Sequence, residues 1–137
     1  GKTYPAEIVI LAIGVKPETQ LAKMAGLELG KRGGFKVDDQ MRTSNPDIFA
    51  VGDAVEVKDF ITGEWTLIPL AGPANRQGRI VADVICGRDS HYRGTQGTSI
   101  CKIFEAAISQ TGVSEKTLKR IGETDYEKTY PYPNPHP

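Results

Sequence analysis

Residues 43–54 read TSNPDIFAVGDA, a polar turn that leads into a short apolar run ending at a glycine and a carboxylate. The run at 48–51 is typical of a strand covered on both faces in a parallel sheet, and open α/β sheets bind ligands beyond the carboxyl ends of their strands. Gly52 lets a flat or bulky group approach the backbone, and ionised Asp53 accepts hydrogen bonds from a hydroxyl or an amine. A Gly-Asp pair after a strand is also a common turn, and this alternative stands beside the ligand site.

The composition excludes several classes of function. Seventeen basic and seventeen acidic side chains cancel among the 137 residues, so no overall charge favours nucleic acid or an anionic membrane surface. No apolar run reaches the roughly 20 residues of a membrane helix, and no signal-peptide pattern is present. We therefore expect a cytoplasmic protein with neither nucleic-acid nor membrane partners. Because the chain lacks an initiating Met and soon enters an apolar stretch, we also expect a fragment of a longer protein.

The cysteines and histidines form no metal or redox motif. Cys86 and Cys101 lie far apart without a Cys-x-x-Cys pattern, so we expect two small buried hydrophobic residues. His91 and His136 lie in polar or proline-rich surroundings without spaced partners. We expect both to be surface residues, and we expect no metal site.

The first third of the chain predicts short elements of an α/β fold. An apolar strand is predicted at 7–13, and a helix at 18–25 is predicted to bury Leu21 together with Met24 or Ala25. The glycine-rich segment 30–34 is predicted to be a turn, because it lacks the P-loop pattern and no long helix follows it. A brief strand at 35–37 then precedes the opening motif.

The middle of the chain predicts a hairpin and one long helix. The hairpin turns around Thr62-Gly63, and we expect Trp65 to be structural. The helix lies within 68–87, with Gly87 as its stop and small residues in its first turns. Its predicted apolar face is formed by Ala74, Ile80, Val81, Val84 and Ile85.

A second unit is predicted after the polar, glycine-containing segment 88–97. Residues 98–108 are typical of a strand pair or one long bent strand, and Ser114 is positioned to cap a helix at 115–121. A returning strand is predicted at 124–130, followed by an extended proline-rich tail.

Three segments together resemble one family, the pyridine nucleotide-disulphide oxidoreductases. Residues 43–53 are similar to its second flavin-binding motif. Residues 12–17, AIGVKP, resemble the loop that returns the chain from the nicotinamide domain to the FAD domain, and residues 70–79 resemble the segment beneath the flavin pyrimidine ring. The resemblance implies an α/β chain with a partial Rossmann-like FAD/NAD(P)-binding fold, followed by the start of an α+β dimerisation domain.

The resemblance also implies a domain organisation. Residues 1–13 would end the NAD(P)-binding domain, and residues 14–95 would form the second segment of the FAD-binding domain. Residues 96–137 would begin a truncated C-terminal dimerisation domain, and the parent protein would be a homodimer.

The cofactor residues implied by the resemblance lie in all three segments. Asp53 would hold a ribityl hydroxyl of FAD, with Gly14 and Gly52 also in cofactor-binding positions. The amides of Leu70 and Ala71, at a helix N-terminus, would stabilise negative charge on the flavin by about 0.3 to 1 kcal/mol or more.

Residues 70–79, 97–104 and 115–120 look especially like coenzyme A-disulphide reductases, including those fused to a rhodanese domain. Electrons would pass from NAD(P)H through FAD to a coenzyme A disulphide or related persulphide. Asn75 and Arg76 would contact the substrate, with Arg79 assisting, because arginine suits phosphate. The alternative for the two arginines is a solvated helix face with ordinary ion pairs.

Several family elements do not occur in this chain. It has neither of the expected Gly-x-Gly-x-x-Gly fingerprints nor the upstream redox-active cysteine, a role that Cys101 cannot take. We therefore expect no catalytic residue here, an inactive chain, and weak or absent FAD binding. Two alternatives stay open: an NADH oxidase or peroxidase of the same family, and an assembly module without a ligand.

Overall fold

The structure, a computed structural model, describes residues 1–132. It contains two compact units, Gly1–Thr95 and Gln96–Pro137, so the division falls within the polar segment 88–97. In the part of the chain that is described, none of the helices combines the length and the apolar character needed to cross a bilayer.

The first unit contains a three-stranded sheet and two helices. In chain order its elements are α1 (Gln20–Met24), β1 (Phe35–Lys36), β2 (Val55–Lys58), β3 (Trp65–Leu67) and α2 (Ala71–Ile85). The central strand is β2, which pairs in parallel with β1 and antiparallel with β3. The unit therefore has the α/β character that the sequence predicts.

Strand β2 is buried on both faces. Val55 and Val57 lie on one face, because alternate residues of a strand point the same way, and both belong to the hydrophobic core. Glu56 points to the other face and is 2% exposed. Its carboxylate accepts hydrogen bonds from the backbone amides of Arg32 at 2.6 Å and Gly34 at 3.2 Å.

The core joins the sheet to α2. Its buried members are Val37, Met41, Val55, Val57, Ile80, Val84 and Tyr92. The predicted helix is confirmed, and Gly87 follows its end with a φ of 77°. The prediction for Ile85 is wrong: this side chain is exposed, because the stripe that meets the core ends at Val84 and Ile85 is the last helical residue.

Two predicted turns of the first unit are confirmed. The Gly30 amide donates to the Gly34 carbonyl at 2.8 Å, which closes the glycine-rich turn. Between β2 and β3, the Asp59 amide donates to the Glu64 carbonyl at 2.9 Å, and Gly63 has a φ of 69°. Glycine adopts this left-handed conformation without the steric cost of a side chain.

The predicted strand at 7–13 is not formed. These residues are exposed and hydrogen-bond to none of the residues that the structure describes. The short helix also differs from its prediction, because Ala22 is its buried residue while Leu21 and Met24 are exposed. An apolar stretch becomes a strand only where neighbouring backbone pairs with it, and a five-residue helix presents little surface to a core.

The stretch 48–51 is not a continuous strand either. It makes one isolated antiparallel bridge, between Phe49 and Arg42, and Val51 is exposed. The regular strand begins beyond Gly52-Asp53, at β2. The reason is again the lack of paired neighbouring backbone, because a central parallel strand needs a partner strand on each side.

The described part of the second unit contains a hairpin and one helix. Strands β4 (Ser99–Ile103) and β5 (Ala106–Gln110) pair antiparallel, which selects the strand pair over the long bent strand. Helix α3 (Glu115–Ile121) begins as predicted, with the Ser114 hydroxyl accepting the Thr117 amide at 3.2 Å. It ends at Gly122, which has a φ of 80°.

The predicted strand at 124–130 is not formed. Instead, side chains bind this segment to α3: the Tyr126 hydroxyl donates to Glu115 at 3.2 Å, and the Lys128 ammonium pairs with the same carboxylate at 2.6 Å. Residues 130–132 are exposed without regular structure. The rest of the predicted tail, including His136, lies outside the described residues.

Both cysteines are exposed, contrary to prediction. Cys86 is the C-cap of α2, beyond the buried stripe, and Cys101 lies on a hairpin whose side chains are mostly exposed. His91 is exposed as predicted, but its ring bridges Asp39 at 2.9 Å and Asp89 at 2.7 Å. Among residues 1–132, no cluster of side chains is suited to a metal ion.

Candidate functional site

The Gly52-Asp53 pair forms a tight turn at the entrance to β2. Gly52 has a φ of 86°, and its carbonyl accepts the Val55 amide at 3.3 Å. A Cβ at Gly52 would meet no atom within 4 Å, so the backbone conformation is what favours glycine here. The turn proposed from the sequence is therefore present, and it leaves open space beside the backbone.

Gln77 connects this turn to α2. Its side-chain oxygen accepts the Gly52 amide at 2.7 Å, and the residue is 2% exposed. Sequence reasoning overlooked Gln77. The signal was a polar residue in register with the buried Ile80 and Val84 of the same helix, which predicts a side chain that turns inward and therefore needs a partner.

The Asp53 carboxylate is exposed and forms no hydrogen bond or ion pair with the residues described. An ionised carboxylate without a partner is an acceptor available to a hydroxyl. The structure thus leaves Asp53 able to play the role that the family resemblance implies.

The N-terminus of α2 is uncapped. Leu70 is the N-cap residue, but no side chain caps the helix, and its first turn contains no acidic residue. The Leu70 amide donates to the Ile68 carbonyl at 2.9 Å and is therefore not available to a ligand. In the described structure the amides of Ala71 and Gly72 have no acceptor, so the free donors lie one residue later than Leu70.

The three predicted substrate residues lie along the exposed side of α2. The Asn75 side-chain nitrogen donates to the Ala71 carbonyl at 2.9 Å, which leaves its oxygen free. Arg76 and Arg79 are exposed and form no salt bridge within residues 1–132. The helix face is solvated, but within the described residues Arg76 and Arg79 do not form the ordinary ion pairs of the alternative interpretation.

Gly14 is not brought to this site. It lies in the exposed segment before α1, with a φ of 81° and no atom within 4 Å of an added Cβ. The structure thus joins two of the three predicted segments, through Gln77, and leaves the first apart from them.

A separate cleft of about 700 Å³ lies in the first unit, and its lining contains none of the predicted site residues. Tyr92, one of the lining residues, is buried. Burial raises the pKa of Tyr92, and the smaller influences of Gln77 and Arg76 lower it. Lys58 lies over the Trp65 ring, 5.7 Å from its centroid, at the same cleft.

The first unit is an α/β unit in which the Gly52-Asp53 turn is hydrogen-bonded to α2. The family model for the pyridine nucleotide-disulphide oxidoreductases matches residues 1–78, which is more than half of the chain. The chain therefore belongs to this family, and the sequence-based identification is confirmed.

Two curated relatives illustrate the range of activities in the family. An NAD(P)H sulfur oxidoreductase (CoA-dependent) of Pyrococcus abyssi is 36% identical over 119 residues, which cover 87% of this chain and 27% of the relative. An NADH oxidase of Methanocaldococcus jannaschii is 43% identical over 123 residues, covering 88% of this chain and 27% of the relative. The chain thus spans about a quarter of the length of these relatives.

Solved structures agree with this assignment. The reduced CoADR-RHD of Bacillus anthracis superimposes with a TM-score of 0.82 and 55% identity, over 89% of this chain and 22% of that one. A FAD-dependent pyridine nucleotide-disulphide oxidoreductase from Desulfovibrio vulgaris gives a TM-score of 0.79 and 44% identity, over 87% of this chain and 30% of that one. The partial Rossmann-like fold predicted from the sequence is therefore confirmed.

Proposed function

We propose that this chain is part of a flavoprotein that transfers electrons from NAD(P)H through FAD to a coenzyme A disulphide or a related persulphide. One observation carries the proposal: the 2.7 Å bond from the Gly52 amide to Gln77 joins the Gly52-Asp53 turn to α2. Two segments that resemble flavin-binding motifs are thereby held in one unit. Residues 1–13, 14–95 and 96–137 would belong to the NAD(P), FAD and dimerisation domains.

The residues present fit a flavin. Asp53 offers an unpartnered carboxylate to a ribityl hydroxyl, and Gly52 leaves space for close approach. The free amides of Ala71 and Gly72, at the positive end of the helix dipole, would stabilise negative charge at the pyrimidine end of the ring. FAD, when bound, supplies the hydride and electron chemistry. This chain would orient the cofactor and balance its charge.

The coenzyme A part of the proposal depends on α2. Arg76 and Arg79 are exposed without ion pairs in the described residues, so both guanidinium groups are available to phosphate. The relative from Pyrococcus abyssi is CoA-dependent by name, and this supports a coenzyme A substrate. The runner-up is an NADH oxidase or peroxidase, favoured by the 43% identity to the oxidase of Methanocaldococcus jannaschii.

A homodimeric parent is also proposed, and the second unit supports it. Its hairpin carries exposed large hydrophobic residues, namely Ile100, Ile103, Phe104 and Ile108. A surface of this kind is typical of an interface. The cytoplasmic location predicted from the sequence remains part of the proposal.

The flavin role is tested in the full-length protein by Asp53→Ala. We expect the purified variant to lose FAD, measured as flavin absorbance per protein, while Asp53→Asn keeps an acceptor oxygen and loses less. Stoichiometric FAD in Asp53→Ala would overturn the role of Asp53.

The substrate role is tested by Arg76→Ala and Arg79→Ala, with Arg88→Ala as a control that removes the same charge from an arginine paired with Asp83. We expect KM for coenzyme A disulphide to rise in the first two variants, with KM for NAD(P)H unchanged. Equal effects in all three variants, or oxygen consumption as the main activity, would favour the NADH oxidase.

A further inference from the structure

We propose that Gln77 is a positioning residue that fixes Asp53 for cofactor binding by holding the backbone of Gly52. This inference rests on the proposed function of Asp53. It concerns a residue whose only observed contact with the site is through the protein backbone.

The geometry supports a dedicated restraint. Gln77 is 2% exposed, and its side-chain oxygen accepts the Gly52 amide at 2.7 Å. Gly52 is 25 residues away in sequence, so the bond links two separate segments. Because Gly52 has a φ of 86° and open space around it, no side chain of its own restrains this turn. The restraint comes from α2.

The next residue, Asp53, depends on the same turn. Its carboxylate forms no bond with the described residues, so the position of the residue is restrained only through its backbone. On the far side, the Val55 amide donates to the Gly52 carbonyl at 3.3 Å and leads into β2. Gln77 therefore anchors the Gly52 amide, and β2 anchors its carbonyl.

A glutamine suits this task because it offers an uncharged acceptor of sufficient reach. A glutamate would add a second negative charge to the turn that contains Asp53, and a methionine of similar length would offer no good acceptor. Loss of the acceptor would leave the Gly52 amide unpaired and allow the turn to sample other conformations. Binding of FAD would then have to order the turn, which lowers affinity.

The test is a double-mutant cycle for FAD affinity, measured by flavin fluorescence on the reconstituted full-length protein. We expect Gln77→Met to weaken FAD binding about tenfold, the scale of one buried hydrogen bond. In an Asp53→Ala background, Gln77→Met should change the affinity by less than about twofold, because the residue on which it acts is already absent.

A matched control separates positioning from general stability. Val84→Ala removes core volume from the same helix without touching the turn, so it should lower the thermal midpoint but leave FAD affinity within about twofold. If Gln77→Met does not fold, Gln77→Asn withdraws the acceptor by one methylene and is compared in the same cycle.

The outcomes are distinguishable. If Asp53→Ala leaves the affinity unchanged, the proposed function of Asp53 fails. If Asp53→Ala weakens binding but Gln77→Met has no effect, or has the same effect with and without Asp53, the positioning role is overturned and the proposed function stands. An equal loss of affinity in Val84→Ala would also overturn the positioning role.

Discussion

Two β-prone stretches of the first unit have different structures. Residues 55–58 form the central strand β2, whereas residues 7–13, which are more apolar, form no regular structure and remain exposed. The difference lies in their surroundings: β2 has a strand on each side, a core on one face and the Gly30–Gly34 turn on the other. Whether a segment forms a strand therefore depends more on paired neighbouring backbone and on burial of its faces than on its hydrophobicity.

Matched truncations at a covered and an uncovered position test this explanation. Met41 is 1% exposed in the core beside β2, and Leu11 is 79% exposed. We expect Met41→Ala to lower the free energy of unfolding by about 2 to 5 kcal/mol. In the chain by itself, Leu11→Ala should change it by less than about 0.5 kcal/mol, and similar losses in denaturant titrations of the two variants would contradict the difference described.

The second test concerns the other face of β2. Glu56→Ala removes the acceptor for the Arg32 and Gly34 amides, so we expect a loss of about 2 to 3 kcal/mol, because hydrogen bonds to a charged group are strong. Glu56→Gln keeps one acceptor oxygen and should lose less. Chemical denaturation compares the two, and an equal loss would show that the hydrogen bonds are not the cause.

The third test concerns the turn that leads into β2. Gly52→Ala places a side chain on a residue with a φ of 86° but meets no neighbouring atom, so we expect a conformational cost of about 1 to 2 kcal/mol. Gly78→Ala, in the interior of α2 and equally free of clashes, should instead stabilise by up to about 1 kcal/mol. Thermal melts of both variants should move in opposite directions.

The smallest effect is expected from pH. Hydrogen bonds to Asp89 and Asp39 raise the pKa of His91 above 6.5, and the bond to Asp39 links two segments that are 52 residues apart in sequence. Because the folded-state pKa is the higher one, the stabilisation is fully present below about pH 6.5 and is lost as the pH rises through the folded-state value.

The variant that tests this is His91→Asn. The stability advantage of the original chain over this variant should be constant below about pH 6.5 and should shrink as the pH rises through the folded-state pKa of His91, measured by unfolding at each pH. An NMR titration midpoint of His91 at or below 6.5 would contradict the assignment.

Local signals in the sequence predicted the parts of the fold that depend on local chemistry. The Ser114 cap, the hairpin at Thr62-Gly63 and the stop at Gly87 were all predictable, because each residue acts on its own neighbours. The strands predicted at 7–13 and 124–130 are not formed, and this could not be predicted because strand pairing depends on distant backbone.

The candidate site shows the same limit. The Asp53 turn and the helix start could be predicted from the sequence as separate features. Their connection through Gln77 could not be predicted, because the periodicity of a helix does not identify the distant amide to which a buried polar side chain binds. For the same reason Glu56, alternating with two valines, was overlooked as a turn anchor.

The exposed segment before α1 contains an aggregation-prone hexapeptide. Residues 8–13 read IVILAI, six uncharged residues without proline and with high β propensity, which is the composition of segments that assemble into cross-β fibrils. The nearest charges, Glu7 and Lys16, flank this hexapeptide but do not interrupt it. In the chain by itself this exposed hexapeptide should favour aggregation at high concentration, and Ile10→Lys should reduce that aggregation.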